Sequence, residues 1–290
     1  MSTIFAVIVT YNPGDISQLL ERFVAQCAEV VVVDNSDVDS ALLRSACTDA
    51  GATLISLGQN VGIAAAQNIG IDYALNSGAD AVLLSDQDSI PGPTMVADLA
   101  THLGPGIGAV GPVPYDGNEP LVYTDHYWGP KRPNTAVIGD EPITAAFLLA
   151  SGCLIPAQVL RHVGLMPADY FIDHVDLAWS MRARAYGYQL LAIPTVRLIH
   201  SLGDRGIKIK GCQRTVHVHS PIRNYYLTRN TVELMRNPDL PATWRFRYGY
   251  WIARFAAFTL LANSDRAIRA TMIGRGLRDG VRRRMGKMPQ

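Results

Sequence analysis

Two aspartates, Asp86 and Asp88, follow an apolar run in the segment LLSDQDS, residues 83–89. Two carboxylates at this spacing can hold Mg²⁺ or Mn²⁺ against a diphosphate, whose oxygens complete the octahedron. The same side chains could instead cap backbone amides in a turn, because Asp is common in turns. Two earlier apolar runs also end in polar residues, Thr10-Tyr11-Asn12 and Asp34-Asn35-Ser36. This repetition favours a ligand site over an isolated turn.

A second pair of carboxylates, Asp173 and Asp176, lies in the segment FIDHVDLAWSMR, residues 171–182. They stand three residues apart at a predicted loop-to-helix junction, so both side chains can face one cleft. Alternatively, Asp173 caps the helix and Asp176 pairs with Arg182. His200 follows another predicted strand, and a lone histidine there is either a structural residue or a ligand. These residues are therefore candidates for acid–base chemistry, with the structural alternatives left open.

The elements that must position these residues alternate between strands and helices over the first hundred residues. Apolar runs predict buried strands, and apolar residues three and four apart predict helices. The predicted strands span residues 4–9, 30–33, 53–56 and 81–84, and the predicted helices span 15–28, 40–50 and 64–77. This order predicts an α/β fold with parallel strands and right-handed crossovers. Ligands of such sheets bind outside the carboxyl ends of the strands, where the polar residues lie.

The regular alternation ends after Asp88. Residues 114–142 are rich in Pro, Gly and Asn, which predicts loops or an irregular insertion. The other predicted elements are helices at 91–102 and 175–186 and strands at 109–113, 143–149, 153–155, 189–193 and 195–199. From Ser220 onward the chain is predicted to be helical and basic.

Composition and charge exclude several classes of protein. The chain has 290 residues, 48% of them hydrophobic and 18% charged, which excludes a disordered chain, a coiled coil and a collagen-like repeat. Residues 1–200 hold 8 basic and 20 acidic side chains, a net −12, whereas residues 201–290 hold 18 and 5, a net +13. The second part therefore predicts a basic surface that faces phosphates. The turn TYNPGD lacks the G-x-G-x-x-G pattern and no Walker A lysine pattern occurs, so both common nucleotide-binding motifs are disfavoured.

Cysteine usage and hydropathy indicate the compartment. The chain has four cysteines: Cys27, Cys47, Cys153 and Cys212. They form no C-x-x-C pair, which predicts buried thiols of a reducing compartment. The first residues run into a strand without a basic region, so no secretory signal is expected. The uncharged stretch 142–160 is interrupted by Gly and Pro, so no membrane span is expected.

Four segments, in this order and spacing, resemble the nucleotide-sugar-binding half of GT-A-fold inverting glycosyltransferases, in the large family that includes many bacterial polysaccharide enzymes. They are VIVTYN (7–12), VVVDNS (31–36), GQNVGIAAAQNIGI (58–71) and LLSDQDS (83–89). The DQD form and the segment at 171–182 resemble most the rhamnosyltransferases that use dTDP-L-rhamnose. The resemblance covers residues 3–230 and implies a Rossmann-like, mostly parallel sheet flanked by helices, with a basic helical extension after it.

The resemblance implies a nucleotide-sugar pocket at the strand ends. Asp34 would accept the N3–H that thymine and uracil share, and Asp86 would lie near the ribose or the sugar. The remaining pocket residues would be Thr10, Tyr11, Asn12, Asn60, Gly62, Asn68 and Gln87, the last of them also interpretable as a bystander.

For the transfer step, the resemblance implies that Asp88 binds Mg²⁺ or Mn²⁺ and that His200 completes the metal or diphosphate site. Relatives carry a Glu-Asp pair where this sequence has Val175-Asp176. Asp176 therefore stands at the position of the catalytic base, and Asp173 is a candidate helper for acceptor hydroxyls.

The segment RNYYLTRN, residues 223–230, places Arg223 and Tyr226 on one face of a predicted helix. The two side chains would contact the diphosphate or the acceptor. Alternatively, the helix has a solvated basic face and packs its tyrosines.

The implied domains are a glycosyltransferase domain over 1–230, with a nucleotide-binding half near 1–105 and an acceptor and catalytic half near 106–230, and a basic aromatic tail over 231–290. Aromatic residues interleaved with arginines suit an anionic membrane surface. The same composition suits nucleic acid or a helix on the core. Because such transferases build on lipid-linked acceptors, we expect a cytoplasmic protein at the inner face of the membrane and no nucleic-acid partner.

The expected function is transfer of L-rhamnose from dTDP-β-L-rhamnose, or of another sugar from a pyrimidine diphosphate. The acceptor would be a saccharide or lipid-linked saccharide of cell-surface polysaccharide or lipopolysaccharide synthesis. The alternatives are a transferase that uses a UDP-sugar and an inactive nucleotide-sugar-binding or scaffold protein of the same fold.

Overall fold

The computed structural model describes residues 2–116, 119–120, 122–125, 139–200, 206–208, 215–217, 220–262 and 265–289. Contacts divide the chain into two compact units. Unit 1 comprises Met1–Asp169 and Val175–His200, and unit 2 comprises Tyr170–His174 and Ser201–Gln290. Most of the predicted insertion at 114–142, and Cys212, lie outside the described residues.

Unit 1 alternates strands and helices as the sequence predicts. Its described strands are β1 (Ile4–Thr10), β2 (Glu29–Asp34), β3 (Thr53–Ser56), β4 (Ala81–Asp86), β5 (Ser89–Ile90), β6 (Ile107–Asp116), β7 (Glu119–Pro120), β8 (Ile143–Thr144), β9 (Cys153–Pro156) and β10 (Gln189–His200). Its helices are α1 (Ser17–Val24), α2 (Ala41–Ala50), α3 (Ile63–Asn76), α4 (Met95–Ala100), α5 (Ala157–Val163) and α6 (Val175–Ala185).

The main sheet has the order β3-β2-β1-β4-β9-β6-β10-β5. The first four strands are parallel, β9 is antiparallel to both of its neighbours, and β6 and β10 are again parallel. The predicted α/β, mostly parallel fold is therefore confirmed. The two strands predicted at 189–193 and 195–199 are one strand, β10, because a register shift between Ile193 and Arg197 lets it bend without ending. Helix α5 was not predicted.

Helix α3 packs closely on the sheet because of a glycine. A Cβ on Gly70 would lie 2.3 Å from Cγ1 of Val7 and 3.1 Å from Cγ2 of Val33. The helix can therefore approach β1 and β2, all of whose central residues are buried. This close packing fixes the segment before α3 beside the carboxyl ends of those strands.

Unit 2 contains the described hairpin β11 (Gly206–Lys208) and β12 (Thr215–His217) and the helices α7 (Pro221–Leu234), α8 (Ala242–Ala262) and α9 (Arg266–Val281). The expected boundary near residue 230 does not coincide with the contact boundary after His200. The reason lies in α9: Gly276 and Gly280 present no side chain to α7, so the backbones come close. Helix α9 is thus packed on α7.

Two observations concern the compartment. Among the described residues, no helix is both long enough and apolar enough to cross a bilayer. Cys27, Cys47 and Cys153 are free thiols.

Candidate functional site

Polar residues of three strands meet at one edge of unit 1. The parallel register pairs Thr10 with Asp34 and Val9 with Asp86. The ends of β1, β2 and β4 therefore lie side by side, as the sequence predicts.

Asp34 is buried and is held by three hydrogen bonds to one oxygen. Its Oδ1 accepts from Thr10 Oγ1 at 3.1 Å, from Ser36 Oγ at 2.6 Å and from the Ser36 N–H at 3.2 Å. Ser36 Oγ in turn accepts from the Asn12 N–H at 2.7 Å. These three bonds all go to Oδ1, so the Asp34 carboxylate is held in orientation through that oxygen.

The loop before α3 is tied to the end of β2 by Asn35. Its Nδ2 donates to Asn60 Oδ1 at 3.1 Å, and its Oδ1 accepts from the Val61 N–H at 2.8 Å. Asn60 Oδ1 also accepts from the Gly62 N–H at 3.0 Å. Gly62 has φ 90° and ψ 153°, a backbone conformation that favours glycine. Asn60 and Gly62 are thus tied to the end of β2 through Asn35, which sequence reasoning did not select as a site residue although it adjoins Asp34.

Asn68 has a use different from the one expected. Its Nδ2 donates to the carbonyl oxygen of Met166 and its Oδ1 accepts from the N–H of Met166, both at 2.9 Å. Both ends of the amide are therefore engaged with backbone. Asn68 links α3 to the segment after α5, which is a structural role.

Gln87 connects the ends of β1 and β4. Its Oε1 accepts from the Tyr11 N–H at 2.7 Å, and its Nε2 lies 3.4 Å from the carbonyl oxygen of Tyr11. The end of β4 has a second contact, because the Asp86 N–H lies 3.5 Å from Ser151 Oγ. Gln87 therefore orders the turn that carries Asp86 and Asp88.

The backbone brings His200 next to Asp88. Strands β5 and β10 are antiparallel, and His200 pairs with Ser89, the neighbour of Asp88 in the chain. The side chain of His200 lies outside the described part of the structure. Among the described side chains, no group of three or more His, Cys, Asp or Glu residues could hold a metal ion.

Asp176 lies in the first turn of α6, and its Oδ1 accepts from the Leu177 N–H at 2.8 Å. Burial raises the pKa of the Cys153 thiol to about 12, and the negative charge of Asp176 adds to this effect. Cys153 pairs with Leu84 of β4, two residues before Asp86. Asp176 therefore lies within electrostatic range of Cys153, the residue of β9 that pairs with Leu84 of β4.

The guanidinium of Arg182 bonds to backbone carbonyls. Its Nη2 donates to the carbonyl oxygens of Gly164 and Leu165. These bonds hold the segment after α5 against α6.

Unit 2 contains the other predicted site residues. Arg223 Nη2 forms a salt bridge to Asp173 Oδ1 at 2.6 Å. Tyr226 is buried, stacks on Phe171 with ring centroids 5.0 Å apart and accepts from the Met288 N–H at 2.9 Å. The packing alternative thus describes Tyr226, whereas Arg223 is engaged with a carboxylate.

Similarity to known proteins agrees with this arrangement. The sequence profile of glycosyl transferase family 2 matches residues 5–164. The dTDP-rhamnosyl transferase RfbF of Shigella flexneri is 34% identical over 252 residues, which cover 83% of this chain and 82% of RfbF.

Solved structures share the fold at low identity. S. aureus TarS matches 97% of this chain with a TM-score of 0.60 and 16% identity, and the chain spans about half, 49%, of TarS. TarS 1–349 in complex with UDP-GlcNAc matches 96% of this chain and 81% of its own length, with a TM-score of 0.61 and 15% identity. GalNAc-T7 with UDP, GalNAc and Mn²⁺ matches 91% of this chain and 58% of its own length, with a TM-score of 0.55 and 14% identity. The chain belongs to glycosyl transferase family 2 and is a glycosyltransferase of the GT-A fold.

Proposed function

We propose that this enzyme transfers L-rhamnose from dTDP-β-L-rhamnose, with inversion, to a saccharide hydroxyl in cell-surface polysaccharide or lipopolysaccharide synthesis. The identity to a dTDP-rhamnosyl transferase over most of both chains supports this donor. The observation that carries the proposal is the fixed carboxylate of Asp34, whose Oδ1 is held by Thr10 and Ser36. Oδ2 then accepts the N3–H of thymine, and the loop with Asn60 and Gly62 covers the nucleoside.

The diphosphate binds beside Asp88 and His200. The chemistry of this donor set fits a divalent cation, because Mg²⁺ prefers oxygen ligands and Mn²⁺ accepts oxygen and imidazole. A cation bound there supplies positive charge to the leaving diphosphate without proton transfer. GalNAc-T7, a neighbour in fold, was crystallised with Mn²⁺.

Asp176 acts as the general base. The acceptor oxygen forms a bond to the anomeric carbon while the bond from that carbon to the diphosphate oxygen breaks, and the diphosphate leaves with the electron pair. The acceptor proton passes to Asp176. Attack from the face opposite the diphosphate converts the β-linked donor into an α-linked product.

A donor panel tests this function. Purified enzyme is incubated with dTDP-L-rhamnose, UDP-sugars or GDP-sugars and a rhamnose-accepting saccharide, with Mg²⁺, Mn²⁺ or EDTA. We expect turnover with dTDP-L-rhamnose and an α-anomeric product by NMR. Preference for a UDP-sugar would favour the alternative donor, and a β-linked product would exclude inversion. Binding of donors without any turnover would favour the inactive scaffold.

We also propose that unit 2 binds an anionic membrane surface through α8. Five exposed residues at helical spacing form its apolar stripe: Phe246, Tyr250, Ala253, Ala257 and Leu261. Helix α8 carries three arginines and no acidic residue, and residues 242–290 hold 11 basic and 2 acidic side chains. An apolar stripe flanked by arginines fits anionic lipid, whereas a second copy of the same face would oppose arginine to arginine.

Vesicle sedimentation tests this surface. Two variants should release the protein from vesicles with anionic lipid at low salt. One combines Phe246→Ser with Leu261→Ser, and the other replaces Arg282, Arg283 and Arg284 with Glu. Val38→Ser, a matched exposed position in unit 1 at 76% exposure, should bind like the wild type. Equal binding of wild type to neutral and anionic vesicles, or a salt-independent dimer through α8, would contradict the proposal.

A further inference from the structure

The segment that precedes α6 contains three residues in the left-handed backbone region. Phe171, Asp173 and His174 have φ angles of 66°, 68° and 61°. Residues with a Cβ rarely adopt this conformation, because the Cβ approaches the following carbonyl oxygen. Such a backbone persists where the surrounding structure holds it. The segment Tyr170–His174 therefore needs partners that fix its shape.

Asn230 of α7 is such a partner. Its side chain is fully buried, and its Nδ2 lies within hydrogen-bond distance of the carbonyl oxygens of Tyr170 at 3.0 Å, Ile172 at 2.7 Å and Asp173 at 2.9 Å. An amide nitrogen carries two hydrogens, so one of its N–H groups is shared between two of these oxygens. Arg229 Nε donates to Asn230 Oδ1 at 2.9 Å. Since Arg229 occupies the oxygen end of the amide, the nitrogen end faces the segment. One side chain thus binds three carbonyls within four consecutive residues.

Thr231 of α7 holds the last residue of the same segment. His174 Nε2 lies 2.9 Å from Thr231 Oγ1, which itself donates to the Leu227 carbonyl oxygen at 2.7 Å. A hydroxyl has one hydrogen, so Thr231 accepts from the Nε2–H of His174. Together with the salt bridge from Arg223 to Asp173, α7 fixes both the backbone and the side chains of the segment.

We propose that Asn230 is a positioning residue of the transfer reaction, which holds Tyr170–His174 in the shape from which α6 begins. Helix α6 starts at Val175 and carries Asp176, the base of the proposed function, on which this inference rests. The pocket around Asp34 lies in unit 1 and uses none of these contacts. Loss of the Asn230 N–H groups therefore affects the chemical step and leaves donor binding intact.

Asn230→Asp tests this role, because it keeps the size and the oxygen that faces Arg229 but removes the N–H donors. We expect kcat to fall by at least ~10-fold, since misplacement of a catalytic group costs up to about 10²-fold. The Kd for dTDP should stay at the wild-type value. Asn224→Asp is the matched control: Asn224 is buried on the same helix but accepts from Arg269 of α9 at 2.9 Å. This control should keep the wild-type kcat.

The titration of His174 by NMR gives a second readout that needs no donor. In the wild type, burial lowers the pKa of His174 to about 4. In Asn230→Asp it should rise toward the ordinary 6.5 as the segment relaxes, and in Asn224→Asp it should stay low. If Asn230→Asp does not fold, Thr231→Val replaces it and should change kcat and the titration in the same directions.

Wild-type kcat together with an unchanged His174 titration in the folded variant would overturn the positioning role. Failure of the wild type to use dTDP-L-rhamnose would instead contradict the proposed function, while the titration would still test the contact of Asn230 with the segment.

Discussion

Both carboxylate oxygens of Asp173 accept hydrogen bonds from Arg223. Oδ1 lies 2.6 Å from Nη2 and Oδ2 lies 3.4 Å from Nε, and the Asp173 side chain is only 6% exposed. A proton taken up by Asp173 would break this ion pair. The arrangement therefore favours Asp176 over Asp173 as the base.

We expect Asp176→Asn to bind donor normally and to turn over at least ~10²-fold more slowly, because a positioned general base contributes about 10²–10⁴-fold. Asp173→Asn should retain measurable turnover and lower the stability of the protein through loss of the ion pair with Arg223. Steady-state kinetics and urea unfolding measure both effects. If Asp176→Asn kept the wild-type turnover while Asp173→Asn lost it, the base would be Asp173 and not Asp176.

Asp34→Ala should weaken dTDP binding by about 1–3 kcal/mol, because the base N–H would lose a buried acceptor. Calorimetric titration with dTDP and GDP measures this. Asp39→Ala is the control, since Asp39 forms an exposed ion pair with Arg44 and should leave binding unchanged. Equal or tighter binding of GDP by the wild type would contradict recognition of the base by Asp34.

Asp88→Asn should reduce the part of dTDP binding that depends on Mg²⁺ or Mn²⁺. The charge that holds the cation is lost, whereas the contacts of Asp34 remain. In EDTA the variant and the wild type should bind dTDP equally. Wild-type binding and turnover that EDTA does not change would argue against a metal at Asp88.

The sequence predicts the parallel strands of unit 1 and their polar ends well because its signals are local. An apolar run ends in a polar residue at β1, β2 and β4, and a parallel sheet brings such ends to one edge. The bonds of Asn68 to Met166 and of Gln87 to Tyr11 could not be predicted, because each joins residues more than seventy positions apart. An amide near a pocket has the same local sequence whether it binds a ligand or backbone.

The C-terminal part shows a different limit. The basic composition of residues 231–290 indicated a separate tail, but the contact between α7 and α9 depends on which faces hold Gly276 and Gly280. Spacing shows that two glycines share a helix face, and it does not show which helix that face meets. Tyr226 illustrates the same point, because its position in a helix does not reveal that Phe171 and Met288 cover it.

Gly276→Ala should lower the free energy of unfolding by about 1–3 kcal/mol, the range for overpacking a close contact. A Cβ at this position would lie 2.4 Å from the carbonyl oxygen of Tyr225, which cannot move without α7. Gly274→Ala is the matched control in the same helix, with no atom within 4 Å of the added Cβ. It should stabilise the protein by about 0.5–1 kcal/mol through helix propensity. Urea denaturation measures both, and equal effects of the two variants would contradict the close contact.

Stability should fall as the pH drops from about 6.5 to about 4 because of His174. Burial lowers the pKa of His174 to about 4, and the nearby carboxylate of Asp173 only partly opposes this effect. In the part of the chain that the structure describes, the groups from other elements that contact the imidazole are uncharged. They are Thr231 of α7 and the rings of Tyr248 and Trp251 of α8.

In this pH range the unfolded chain binds a proton at His174 and the folded chain does not. The contribution of His174 to the free energy of unfolding is therefore fully present above pH 6.5. About 3 kcal/mol of it is lost between pH 6.5 and pH 4, at about 1.4 kcal/mol per pH unit. Urea unfolding at several pH values should show this slope in the wild type and in His102→Gln. In His174→Gln the change in the free energy of unfolding between pH 4 and 6.5 should be smaller by the contribution of one proton, about 1.4 kcal/mol per pH unit. The same slope in His174→Gln as in the wild type would show that another group causes the pH dependence.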